Sequence, residues 1–207
     1  MMNLGNDTLG TLLLCRHGET EWNRSGRIMG QWDSPMTAQG LARIRTLADM
    51  LARQGVNRIV ASPLGRAALT GCMYSEKLSA PVYFDALLAE LSAGAWQGEL
   101  RTQGTVHGRP FRASWSDRPP GGESYADAEE RVARFLAKLR CYHGETILIV
   151  GHAGINKVIL KMLLNLAPEV AAKMTFPHDI FYRIDSSGQI VLFSPAYADG
   201  KIAHFET

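Results

Sequence analysis

The chain has 207 residues, 46% of them hydrophobic and 20% charged, the balance of a globular protein that can bury a core without disulfide or metal staples. Lys and Arg number 22 against 20 Asp and Glu, and the resulting net charge of +2 gives no whole-molecule attraction to nucleic acid or anionic membrane, so basic residues carry meaning only where they cluster. No apolar run reaches the roughly 18 residues of a membrane span, and Cys15, Cys72 and Cys141 stand far apart and outside any CxxC spacing, as expected of reduced thiols in a cytoplasmic protein.

Residues 1–10 lack the basic start and continuous apolar core of a signal peptide and read as a loose N-terminal tail; residues 11–207 read as a single domain. The first apolar run, "TLLLC" at 11–15, is a strand that passes directly into Arg16-His17-Gly18, with Cys15 a small buried hydrophobe. Thr37 opens a helix that carries Leu41, Ile44, Leu47, Ala48 and Leu51 on one stripe and stops at Gly55. "RIVASPLGR" is a short strand at 58–61 that delivers Ser62 and Arg66, with a second helix after Pro63; "VYFDALLAE" is a strand at 82–84 that delivers Glu90.

Between 94 and 122 the pattern dissolves into Gly, Pro, Arg and Trp, which reads as a long loop holding one short helix, and loops of this length inside a compact domain are often functional. A third helix over 124–142 turns Val132, Phe135, Leu136 and Leu139 inward. "TILIVGHAGIN" repeats the opening arrangement, a strand at 146–150 that ends in a glycine-flanked His152 and feeds a fourth helix. "IFYRID" and "QIVLFS" then flank Ser186-Ser187-Gly188 as an antiparallel hairpin. Strands alternating with helices specify an α/β fold with a mostly parallel sheet, finished by the hairpin strands.

In such sheets ligands bind at the carboxyl ends of the strands. Four strand ends offer Arg16, His17, Arg66, Glu90 and His152 there. Two histidines and two arginines against one acid form a cationic pocket whose guanidinium forks match phosphate oxygens. A metal cation is not expected, since the arginines would repel it and no HxH, HExxH or carboxylate pair is present. One neutral imidazole can attack phosphorus, the neighbouring positive charges keeping it unprotonated, and Glu90 is the candidate proton donor for the leaving alkoxide.

These residues sit in motifs that resemble those of the histidine phosphatase superfamily, also called the phosphoglycerate mutase-like family: "RHGETEWN", "GRIMGQWDSPMTAQG", "SPLGRA", "LAELSAGAWQG", "PPGGES" and "GHAGIN", in family order over nearly the whole chain. The resemblance implies that His17 is the phosphorylated nucleophile, that Arg16, Arg66 and His152 hold the phosphate and that Glu90 donates the proton. It adds Asn23 as a phosphate or substrate contact, Gly30 as a close backbone approach and Ala153 in the substrate-binding turn after His152. It also implies a three-layer α/β/α sandwich, no metal and no organic cofactor.

The chain departs from the family pattern at Gln97, Ala153 and Leu69, where Glu, Gly and Gln are usual. Small uncharged residues follow the acid (Ser92, Ala93, Gly94 and Ala95), which favours a phosphomonoester hydrolase over the alternative, a cofactor-dependent phosphoglycerate mutase; a catalytically degenerate phosphoprotein-binding member is the third reading. The expected partner is a small phosphorylated metabolite, with neither nucleic acid nor membrane, and a homodimer is compatible with the sequence. Arg101, His107, Arg109, Arg112 and Arg118 are candidates for contacts with a negatively charged substrate tail. Trp22, Trp32, Trp96 and Trp115 are candidates for pocket walls or core, with Trp32 and Trp96 expected in the core.

Overall fold

The computed structural model describes residues 10–203, so the tail expected at 1–10 lies outside the described residues except for Gly10. Strands β1 (Leu12–Arg16), β2 (Arg58–Ala61), β3 (Val82–Phe84), β6 (Ile147–Gly151), β7 (Phe181–Ile184), β8 (Ile190–Ser194) and β9 (Tyr197–Ile202) form one sheet, in the order β3-β2-β6-β1-β7-β8-β9. The first four are parallel and the last three antiparallel. Helices α1 (Glu21–Arg24), α2 (Ala38–Leu51), α3 (Gly65–Leu78), α4 (Tyr125–Leu139), α5 (Ala153–Leu164) and α6 (Pro168–Lys173) connect them, and a two-stranded ladder, β4 (Thr105–Val106) with β5 (Arg109–Pro110), lies apart.

The central strands β1 and β6 are apolar along almost their whole length because both of their faces are covered. Leu12, Leu14, Ile147 and Ile149 pack with Val132 and Phe135 of α4 and Ile155 and Val158 of α5. The alternate residues Leu13, Cys15, Leu148 and Val150 pack with Ile44 and Leu47 of α2 and Ala67 and Tyr74 of α3. The result is an α/β/α sandwich.

From β1 the chain moves outward to β2 and β3 with α2 and α3 on one face. It returns through α4 on the other face and inserts β6 between β2 and β1. Crossovers of one hand running in opposite directions place their helices on opposite faces. The reversal also sets the carboxyl ends of β1 and β6 side by side, with Arg16 opposite Gly151.

The helix start at Thr37 holds as read, its Oγ1 accepting from Gly40 N at 2.8 Å. The third helix ends at Leu139 rather than 142, and the chain then turns through Arg140, Cys141 and Tyr142. The short helix expected in the 94–122 loop is a single 3-10 turn, Gly94–Trp96, and the small β4–β5 ladder was not anticipated. Nor were α6, begun by Pro168, and β9, whose mostly exposed residues leave no apolar alternation to read. Trp32 corrects the expectation of core packing: it is 55% exposed and tilts against Trp22, whereas Trp96 and Trp115 are buried.

Candidate active site

Where β1 ends, His17 continues the sheet ladder by donating its backbone N–H to Gly151 O at 3.0 Å. Gly18 then turns against α2, where a Cβ would fall 2.5 Å from Ile44 Cδ1, and its N–H is held by Thr70 Oγ1 at 3.1 Å. The His17 ring is 1% exposed. Its Nδ1 lies 2.7 Å from Gly18 O, and a carbonyl only accepts, so Nδ1 carries the proton. Nε2 lies 3.2 Å from Arg66 Nε, and a guanidinium only donates, so Nε2 holds its lone pair. Both contacts demand the same neutral tautomer.

Arg66, in the first turn of α3, is fixed on its far side. Nη1 donates to Trp32 O at 2.7 Å and Asp33 Oδ1 at 2.9 Å, and Nη2 to Gly30 O at 2.8 Å. Gly30 reaches this position with φ +51°, and a Cβ there would lie 2.5 Å from Gln97 Oε1. That Gln97 oxygen accepts from Gln31 N at 3.0 Å, so the residue that departs from the family pattern serves as a neutral acceptor.

Arg16 donates through Nη1 to Phe176 O at 3.2 Å, while its buried Nε has no protein partner among the described residues. His152 is fully buried; its Nε2 pairs with Ser62 Oγ at 2.8 Å and its Nδ1 is likewise unpartnered. Its ring centre stands 5.1 Å from that of His17. Arg16 Nε and His152 Nδ1, both buried and unpaired near the His17 ring, are polar groups that an oxyanion could satisfy.

Glu90 does not sit on a strand end, as the sequence suggested: β3 stops at Phe84, and a 3-10 turn, Ala86–Leu88, carries the chain on to it. Its carboxylate accepts from Leu91 N at 2.9 Å and from Gly154 N and Ile155 N at 3.1 Å each. His152, the N-cap residue of α5, makes no side-chain cap, and Glu90 takes that place from elsewhere in the chain. Asn23 closes a capping box with Thr20, using its Oδ1 and leaving Nδ2 without a partner among the described residues.

A cavity of ≈390 Å³ opens onto this group, and Arg16, His17, Asn23, Gly30, Arg66, Glu90 and Ala153 all line it. His152 is not among the lining residues, but its ring is next to that of His17, which is. Arg16, Arg27, Arg66, Arg101, Arg112 and Lys157 line it against the two carboxylates Glu19 and Glu90, so the positive balance is concentrated here although the whole chain is nearly neutral. Of the loop cations, Arg101 and Arg112 reach the cavity. His107 pairs with Glu99 at 3.4 Å, Arg118 with Asp127 at 2.8 Å, and Arg109 lies over Trp96. None of the tryptophans lines it.

His178, which precedes β7, also lines the cavity and was not anticipated, nor was Lys157 of α5. Burial first, then Arg16, His152 and Arg66, hold His17 well below the ordinary imidazole value. Burial with Arg66 and Arg16 does the same to His152, and burial with Arg16 takes His178 down to about 3. Burial lowers Arg16 to about 10. Among the described residues no cluster of three or more His, Cys, Asp or Glu could hold a metal ion, and no helix is long and apolar enough to cross a membrane.

The sequence profile of the histidine phosphatase superfamily (branch 1) matches residues 12–188. The probable phosphoglycerate mutase GpmB of Serratia proteamaculans (strain 568) is 30% identical over 202 residues, 94% of each chain. Among solved structures, mycobacterial glucosyl-3-phosphoglycerate phosphatase in complex with VO3 superposes with a TM-score of 0.79 at 25% identity, over 90% of this chain and 98% of that one. A putative alpha-ribazole-5'-P phosphatase from Escherichia coli K-12 shares the fold, with a TM-score of 0.74 at 21% identity over 96% of both chains.

Proposed function

Because this chain belongs to the histidine phosphatase superfamily, branch 1, we propose that it is a metal-independent phosphomonoester hydrolase acting through a phosphohistidine on His17. The observation that carries the reading is the His17 tautomer, with Nδ1–H on Gly18 O and the Nε2 lone pair facing the Nε–H of Arg66. Nε2 attacks phosphorus, the bond from phosphorus to the ester oxygen breaks, and the departing alkoxide takes a proton from Glu90. Water then attacks the phosphohistidine, returns a proton to Glu90 and releases inorganic phosphate. During both steps Arg66 Nε shifts its N–H from Nε2 to a phosphoryl oxygen, while Arg16 Nε and His152 Nδ1 supply further contacts to the equatorial oxygens.

The substrate is a small phosphorylated metabolite, in keeping with a cavity of ≈390 Å³ and with the phosphatases that share the fold. Three unpaired cysteines, Cys72 and Cys141 of them exposed, support a reducing compartment such as the cytoplasm. The second reading, transfer between two hydroxyls of phosphoglycerates, is favoured by the name of the GpmB relative. A panel of sugar phosphates, phosphoglycerates, phosphoserine, α-ribazole phosphate and nucleotides, assayed with and without 2,3-bisphosphoglycerate, separates the two. Hydrolysis predicts phosphate release independent of the bisphosphate; interconversion of phosphoglycerates without phosphate release would replace it with the mutase.

A further inference from the structure

His178 reaches the site because β7 is antiparallel to β1, Cys15 standing opposite Phe181, so that the start of β7 meets the end of β1. Its Nδ1 lies 2.7 Å from His17 O, and since the carbonyl only accepts, Nδ1 carries the proton and the ring orientation is fixed. Nε2 has no protein partner among the described residues, and the residue lines the cavity. Its ring centre is 5.3 Å from that of His17, which is thus flanked by His152 and His178 at similar distances.

We propose that His178 is a third histidine of the phosphoryl site, contacting a phosphoryl oxygen through Nε2 and carrying a proton into the site with the anion. The inference rests on the phosphate-pocket reading given above. A lone pair on Nε2 facing an oxyanion would repel it, so the contact requires Nε2–H. The groups around the ring are Arg16 and His17 at the end of β1, Glu19 beyond them, Arg43 of α2, which pairs with Glu19 at 3.4 Å, and Asp179 next in the chain. Burial and the Arg16 charge keep the ring neutral. A dianion among these residues offsets the cations and lets Nε2 take a proton from solvent, turning an acceptor into a charged donor.

Two substitutions separate this role from a purely structural one. His178→Asn puts an amide near the Nδ1 position, keeping a donor for His17 O, and removes Nε2; His178→Gln does the reverse. Sulfate is the probe because its charge is constant between pH 5 and 8. Calorimetric titration in buffers of different ionisation enthalpy counts the protons taken up on binding. Wild-type protein is expected to bind sulfate more tightly as pH falls, with proton uptake. Either variant takes up about one proton fewer; His178→Asn also loses about ten-fold in affinity at the acid end, the gap closing towards pH 8. Residual uptake in the variants belongs to His17 and His152. Equal proton uptake and equal affinity in wild type and whichever variant folds would overturn the role of His178 while leaving the pocket intact. Sulfate that fails to bind the wild type at any pH would overturn the pocket reading itself.

Discussion

The Nε2 lone pair of His17 faces the Nε–H of Arg66 at 3.2 Å, and Arg66 is held in that position by three further acceptors on the opposite side of its guanidinium. The nucleophile and its nearest cation therefore form a preset pair, and the group that fixes Arg66 lies outside the reaction. Asp33 is that group: it accepts from Arg66 Nη1 and also caps α3 through Gly65 N at 2.8 Å and Arg66 N at 3.2 Å. Asp33→Ala is expected to cost about 1–2 kcal/mol of stability through the lost cap and to lower kcat/KM about ten-fold or more by freeing a guanidinium that is 1% exposed. Urea unfolding and steady-state kinetics on the same preparation check both.

Glu90 supplies a test that depends on the leaving group. Glu90→Gln is expected to lower kcat on alkyl phosphates by about 10²- to 10⁴-fold, with a much smaller effect on p-nitrophenyl phosphate, whose leaving group needs no proton. Equal losses on both esters would remove Glu90 as donor and leave it as the cap of α5.

Gly30 stands at φ +51°, and a Cβ on it would lie 2.5 Å from Gln97 Oε1 and 2.9 Å from Ala93 N. Gly30→Ala is therefore expected to destabilise the protein by about 1–3 kcal/mol. Because Gly30 O holds Arg66 Nη2, activity should fall as well. Thermal unfolding and turnover measured together check the coupling of the two losses.

The buried histidines make stability dependent on pH. His17, His152 and His178 all have folded values below their ordinary one of 6.5, so below that pH the unfolded chain binds protons that the folded chain does not. Stability is unaffected by these groups above pH 6.5 and falls as pH drops below it, down towards about 3 for His178. Each group contributes up to about 1.4 kcal/mol per pH unit, about 4 for the three together. Urea unfolding at pH 8, 6 and 5 should show the fall, and inorganic phosphate should reduce it, because an anion among the rings favours their protonation.

Much of the site was legible because β1 and β6 are short apolar runs that end abruptly in "RHG" and "GHAG", and a parallel sheet brings such ends together. His178 was not, because an antiparallel neighbour presents its beginning at that edge, where the strand-end rule for parallel sheets does not point. Glu90 is legible as the acid that follows the strand 82–84, but the turn that carries it past the strand end and its cap on α5 depend on a loop path that residue types do not specify. The same limit explains the loop cations. Arg112 lines the cavity from a left-handed backbone position (φ +55°), a conformation that non-glycine residues seldom signal in a sequence. Trp32 was misplaced because its carbonyl, not its ring, does the work of holding Arg66.

In the proposed reaction His17 Nε2 carries the phosphoryl group between ester and water. Rapid acid-free quenching of the enzyme with a phosphomonoester that it turns over, followed by peptide mass spectrometry, tests it directly. The expected result is a phosphoryl adduct on the peptide that contains His17, stable to alkali, labile to acid, formed before steady-state phosphate release and absent from His17→Ala. Turnover with no adduct at any time, or an adduct on another residue, would contradict it.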